Sequence, residues 1–322
     1  MMKKMFALLI SMLLLLVVVG CSSGTDEKAS GATKGKEGYT IGFSQGTMNH
    51  PYRVAMVEGN EQYFKENNPD VKVVVTDGEN QSSKQVTDVE SLLAQNIDAL
   101  ILSPLTEDAL TPVAKVAMDK GIPVITLDRK VNTPVTLHIG ANNKQMGVDA
   151  GKYLTEILSG KGNIIEIQGT AGASATEERH SGFEEAIAGT ELNVISTQYA
   201  DYLREPAMSY MEDMLQRFPK GEIQAVYAHN DEMALGAAKA IAAAGRADEI
   251  KIIGMDGMNI AIEAVKNGEL AATFIYPTTA PEAAQYAYKI VTGNTEGLES
   301  EVILEAQRVD PTNVDEFIDK GI

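Results

Sequence analysis

Two aspartates and three arginines in this chain of 322 residues stand where surface solvation does not account for them. Asp128 and Arg129 close the apolar run Val124–Leu127, and Asp256 follows Ile252–Met255. Arg53 and Arg179 fall near the starts of expected helices, where the helix dipole disfavours a cation. A guanidinium fork paired with Asp128 or Asp256 holds donors and acceptors in fixed planes, which suits a ring of hydroxyls. The stretch VYAHNDEMALGA, residues 226 to 237, raises the same question: a short apolar strand ends in His229, Asn230, Asp231 and Glu232 before an Ala-rich helix. Tyr52, Tyr202 and Tyr276 suit the apolar C–H faces of a sugar; each taken singly fits a core or rim position as well.

Other chemistries are less well supplied. Gly42-Phe43-Ser44-Gln45-Gly46 matches G-x-S-x-G, but a nucleophile elbow needs its helix directly after the serine, and the expected helix begins near Pro51. A secreted serine hydrolase is therefore a remote alternative, tested by turnover with Ser44→Ala. His50, His138, His180 and His229 lie on separate elements without ligand spacing, and no calcium-loop pattern is present. GTAGAS after Gln168 lacks the dinucleotide spacing and a phosphate-loop lysine. No metal and no cofactor are expected.

These residues depend on the elements that carry them. Strands are expected at Thr40–Ser44, Val71–Thr76, Ala99–Leu102, Val124–Leu127, Leu137–Gly140, Asn163–Ile167, Asn193–Tyr199, Ala225–Ala228, Lys251–Gly254 and Ala271–Ile275. Amphipathic helices lie between them, as with Val86, Val89, Leu92 and Leu93. Ser82 with Gln85, Ser174 with Glu177 and Thr279 with Glu282 match the capping box. Apolar strands alternating with helices imply parallel sheets covered on both faces, an α/β fold. Ten strands are too many for one compact sheet, and the alternation breaks at Lys130–Pro134 and around Pro277, so two lobes are expected. Ligands of such sheets bind outside the carboxyl ends of the strands, where nearly every strand here delivers a polar residue. Helix N-capping is the plain alternative for about half of them, Asp231, Asp77 and Ser103 included.

Composition narrows the partners. Lys3 and Lys4 precede an apolar run from Met5 to Val19, a secretory signal too short for the ~20 residues that span a bilayer. Residues 22–38 carry no large apolar side chain and form an expected tether. Cys21 is the only cysteine, so no intrachain disulfide exists and the folded part rests on its own core. Removing Lys3 and Lys4 from 27 basic residues leaves 25 against 45 acidic ones, a charge of −20 that repels nucleic acid.

Val-Val-Gly-Cys at 18–21 resembles the bacterial lipoprotein signal, which implies cleavage before Cys21 and lipidation of its sulfur. PVITLDR (123–129), IEIQGTAGASATEER (165–179), AVYAHNDEMALGA (225–237) and IIGMDG (252–257) resemble the periplasmic ribose-type sugar-binding proteins of ABC importers. The resemblance runs from Tyr39 to the end and implies a type I periplasmic binding protein: two doubly wound parallel-sheet lobes joined by a three-strand hinge. The implied partition is a signal at 1–20, a lipidated tether at 21–38, a first lobe of 39–141 plus 277–307, and a second of 142–276 plus 308–322. It implies Asp128 and Arg129 as the sugar-binding pair of the first lobe, with Arg179, Asn230 and Asp256 contacting hydroxyls from the second and Tyr202 stacking. The chain departs from the ribose pattern at His50, Arg53 and Tyr276, where that pattern has Asn, Phe and a hinge-side Gln. Tyr52-Arg53 is similar instead to the galactofuranose-binding branch.

The resemblance implies a non-enzymatic monomeric receptor, outside the cytoplasm and anchored through Cys21, that closes on a monosaccharide and docks on an ABC permease. A chemoreceptor or sensor kinase is the alternative partner. A sugar-responsive transcription factor, which shares this core, requires a DNA-reading helix-turn-helix ahead of it, where this chain has an export signal and a tether. Replacing Asp128 or Asp256 by alanine is expected to abolish binding and spare the ligand-free fold.

Overall fold

The computed structural model describes residues 38–322; the signal segment, Cys21 and the tether up to residue 37 lie outside the described residues. The first half of the chain is β1 (Thr40–Gln45), α1 (Pro51–Asn67), β2 (Lys72–Asp77), α2 (Ser82–Ala94), β3 (Ala99–Ser103), α3 (Glu107–Asp119), β4 (Val124–Leu127) and β5 (Leu137–Ala141). There follow α4 (Asn143–Ile157), β6 (Lys161–Gln168), α5 (Ser174–Ile187), β7 (Glu191–Tyr199), α6 (Arg204–Arg217), β8 (Ala225–Ala228), α7 (Asp231–Ala243), β9 (Lys251–Ile253), α8 (Asn259–Lys266) and β10 (Thr273–Ile275). The chain ends with α9 (Glu282–Val291), β11 (Glu301–Leu304), β12 (Gln307–Val309) and a 3-10 turn, Val314–Glu316.

Two parallel sheets result. The first has the order β11-β5-β4-β3-β1-β2 and the second β7-β6-β8-β9, while β10 and β12 form an antiparallel pair. The chain passes between the two halves three times: after β5, between β10 and α9, and between β11 and β12. Each strand covers both faces of its sheet by alternation. In β3, Ala99 and Ile101 join one buried cluster while Leu100 and Leu102 join another with Leu92 and Leu110. In β8, Ala225 and Tyr227 face one way and Val226 and Ala228 the other.

The strands expected from the sequence all appear, with ends shifted by one or two residues. β11 and β12 are additions, because strands of four and three residues, the first opening on Glu301 and followed by Glu305, carry too little apolar pattern to be seen. Of the two breaks in the alternation, Pro277 lies in a crossing, but Lys130–Pro134 is a loop inside the first sheet, between paired β4 and β5.

The capping expectations need correction. Gln81, Ala173 and Pro281 occupy the N-cap positions of α2, α5 and α9, none with a side-chain cap bond. Ser82 instead meets the Thr106 hydroxyl at 3.0 Å, Ser174 accepts from the Lys130 N–H at 2.8 Å, and the Thr279 hydroxyl donates to the Thr278 carbonyl. Asp77 accepts from the Glu79 N–H in a turn, and Ser103 accepts from Arg53. Asp231 sits one residue inside α7; the cap is Asn230, whose side-chain oxygen accepts from the Met233 N–H at 3.0 Å.

Candidate functional site

β1, β4, β6, β8 and β9 point their carboxyl ends at one region between the two halves, and the polar side chains collect there. His50, Tyr52, Arg53, Asp128, Arg179, Tyr202, Asp256 and Tyr276, with Ala175, line a cavity of about 10 Å³. That is room for about one water molecule, so the walls must part to admit anything as large as a sugar ring. None of the eight is more than 6% exposed, so the cavity is closed.

The first-half wall is wired together. Arg53, in the first turn of α1, donates from Nη1 to Ser103 Oγ at 2.9 Å and from Nη2 to Asp128 Oδ2. The Tyr276 hydroxyl donates to Asp128 Oδ1. Burial alone would raise the Asp128 carboxyl, yet the guanidiniums of Arg53, Arg129 and Arg179 hold it down at about 2. Arg129 is 2% exposed and spends one nitrogen, Nη1, on the Leu105 carbonyl at 2.8 Å, while its guanidinium lies 5.2 Å from the Tyr202 ring. Burial and neighbouring Arg53 bring Arg129 down to about 10.

The second-half wall rests on α4 and α5, which approach closely because Gly147 and Gly182 lack side chains: a Cβ at Gly182 would lie 2.0 Å from the Lys144 carbonyl oxygen. Arg179 donates from Nε to Asn143 Oδ1 at 2.8 Å and from Nη1 to the His229 carbonyl, and its guanidinium covers the Tyr276 ring at 4.6 Å. The Tyr202 hydroxyl meets Thr176 Oγ1 at 2.8 Å, and its ring passes over Gly169, where a Cβ would lie 2.0 Å from Cζ. Asp256 differs from the expectation: no arginine pairs with it, no described side chain or N–H donates to its carboxylate, and burial with the nearby Asp231 pushes it well above the ordinary range. Asp128, Tyr202 and Asp256 all take positive φ, at 62°, 62° and 128°, the kind of backbone strain that persists only when surroundings enforce it.

Several buried polar atoms have no hydrogen-bond partner: Arg53 Nε, Arg129 Nε and Nη2, and both ring nitrogens of His50. Burial and the charges of Arg53 and Arg129 keep His50 neutral, so its ring offers one donor and one acceptor. A buried unpaired donor costs about 1–3 kcal/mol. A polyhydroxylated ring placed here would supply the missing acceptors.

Of the ten expected binding residues, eight line the cavity, and Arg129, which does not, has its Nε 3.8 Å from Asp128 Oδ2 and its guanidinium 5.2 Å from the Tyr202 ring. Asn230 does not line it: its amide is committed to the α7 cap and to the Tyr202 carbonyl at 3.2 Å. Asn143 and Thr176 join the site without having been singled out from sequence, and Ser103, assigned there to capping, accepts from Arg53 instead. Ser44 is fully buried inside β1, 3.3 Å from Gln85 Nε2, and α1 starts at Pro51, so the G-x-S-x-G match has no elbow. Among the described residues no group of three or more His, Cys, Asp or Glu can hold a metal ion.

Two parallel-sheet lobes linked by three crossings, with a closed polar cavity between them, define a type I periplasmic binding protein fold. The periplasmic binding protein domain matches residues 41–295, and the chain belongs to that family. It is 38% identical over 274 residues to the ribose import binding protein of Bacillus subtilis (strain 168), covering 84% of this chain and 87% of that one. Its structure is similar to the fructose binding periplasmic domain of a hybrid two-component system, with a TM-score of 0.83, 34% identity and coverage of 88% and 94%. It is also similar to a galactofuranose binding protein, with a TM-score of 0.81, 27% identity and coverage of 88% and 98%.

Proposed function

We propose that the protein is a non-enzymatic, extracytoplasmic receptor that binds one monosaccharide in the closed cavity and delivers it to an ABC importer. The observation that carries this reading is the set of buried polar atoms without a hydrogen-bond partner on Arg53 and His50, which line the closed cavity between the lobes, and on Arg129 beside Asp128. Similarity to a ribose import binding protein supports both the sugar and the importer. The eight wall residues are too buried for a sugar to enter unless the lobes part. Residues 39–141 with 277–307 would then swing against 142–276 with 308–322, the hinge motion of periplasmic binding proteins. Closure without the matching hydroxyls leaves the arginine donors unpaired, so a wrong sugar is rejected by unsatisfied groups.

Arg53 and His50, where the ribose pattern has Phe and Asn, argue for a sugar other than D-ribose, with furanose forms favoured by the galactofuranose neighbour. Lipidation at Cys21 would keep the receptor at the membrane, and Cys21→Ala is expected to release it into the soluble fraction. Delivery to a sensor kinase is the second reading, favoured by the likeness to the periplasmic domain of a two-component system. A thermal-shift screen against pentoses, hexoses, furanose-forming sugars, polyols and sugar acids tests the receptor reading. A ligand at 100 times its Kd adds ~2.7 kcal/mol to stability. Silence across the neutral sugars and the acids would overturn it.

A further inference from the structure

Asn143 is 1% exposed, does not line the cavity, and joins two residues that do. Its Oδ1 accepts from Arg179 Nε at 2.8 Å and its Nδ2 donates to the Tyr276 hydroxyl at 3.0 Å. The direction of these bonds is forced from both ends. A guanidinium can only donate, so the Asn143 oxygen must face Arg179 and its NH2 must face Tyr276. Ionised Asp128 can only accept, so the Tyr276 proton must point at it. One oriented chain therefore runs Arg179 to Asn143 to Tyr276 to Asp128, closed on the far side by Arg53.

The position of Asn143 gives this chain its leverage. It is the first residue of α4, directly after the crossing from β5, while Tyr276 opens the return crossing after β10. The amide thus ties two of the three connections to each other and both to the walls of the cavity. The close α4–α5 contact at Gly147 and Gly182 fixes Asn143 against Arg179.

We infer that Asn143 is a positioning residue of the binding site: its amide polarity sets the hydroxyl direction of Tyr276 and the pose of Arg179, and so sets affinity without touching the ligand. The affinity part rests on the monosaccharide reading; the hydrogen-bond chain does not. The test is Asn143→Asp in the full chain, an isosteric change that keeps the acceptor for Arg179 and removes the donor to Tyr276. At pH 7 two carboxylates then compete for the one Tyr276 proton, and the Kd for the sugar found by screening is expected to rise tenfold or more, the scale of one lost hydrogen bond to a charged group. In a Tyr276→Phe background no tyrosine proton is left to divide, so the same Asn143→Asp change should then raise the Kd by much less. An equal rise in Kd in the Tyr276→Phe background, or a Kd unchanged at pH 7, would overturn the inference. A double-mutant cycle on ligand-free stability with Tyr276→Phe gives a second readout that needs no sugar. Non-additive loss supports the chain even if every sugar fails to bind, whereas strict additivity refutes it.

Discussion

Asp128 and Asp256 both end up buried on the wall of one cavity, and their surroundings differ in every respect that sets a carboxyl's charge. Asp128 is ion-paired to Arg53, accepts from Tyr276 and is held at about 2. Asp256 has neither cation nor donor bonded to it among the described residues and is pushed well above the ordinary range by burial and by Asp231. The first-half wall thus has its carboxylate neutralised and fixed before any ligand arrives, although Arg53, Arg129 and His50 keep unpaired nitrogens, whereas the second-half wall leaves a carboxyl without a bonded partner. Preorganisation on one side and an unmet requirement on the other give a site that holds its shape and still discriminates.

The largest effect that sharpens this contrast is Asp128→Ala. It leaves Arg53, Arg129 and Arg179 buried without their shared anion, and breaking a buried pair costs about 3–5 kcal/mol. Ligand-free stability in denaturant titration should fall by that order and sugar binding should vanish. This revises the sequence-based expectation that Asp128 is dispensable for folding, because the sequence alone did not show three cations around one carboxylate. Arg53→Phe comes next: Asp128 keeps Arg129, Arg179 and Tyr276, so the loss should be smaller, and the sugar preference measured by competition should shift toward ribose.

Asp256→Asn should behave oppositely, with ligand-free stability at pH 7 unchanged or higher and affinity at least tenfold weaker, about 1.4 kcal/mol. The pH dependence carries the sign. A carboxyl whose folded pKa is raised costs stability as pH climbs from its unfolded value of 3.8 toward the folded one, and Asp231, raised to about 6, adds to that slope. Asp128, depressed to about 2, stabilises fully above 3.8 and loses that contribution as pH falls toward 2. Thermal melts between pH 4 and 7 should therefore be flatter for Asp256→Asn than for wild type; equal slopes would mean Asp256 is ionised in the ligand-free protein. At the small end, Lys115→Ala removes an exposed helical pair with Asp119 and should change stability by less than about 0.5 kcal/mol.

Much of this was legible from sequence because parallel α/β sheets put polar residues at strand ends, where a change from apolar to charged side chains stands out. Asp128, Arg129 and Asp256 announce themselves in that way. Arg53 and Arg179 were legible through their mismatch with helix dipoles. What stayed hidden depended on partners distant in sequence. Asn143 and Tyr276 lie 133 residues apart and meet only because two crossings run side by side. Asn230, expected as a ligand contact, caps α7 and donates to the Tyr202 carbonyl, two roles that the same residue type serves and that sequence alone does not separate. The serine, threonine and aspartate expected at helix caps were drawn instead into contacts across loops, as Ser174 is by Lys130.

A crystal structure of the protein with the sugar found by screening tests the central claim most directly. The account predicts one ring in the cavity, with hydroxyl oxygens within hydrogen-bond distance of Arg129 Nη2 and His50 and a hydroxyl donating to Asp256. A sugar bound elsewhere, or one in the cavity that leaves those groups unpaired, would contradict it.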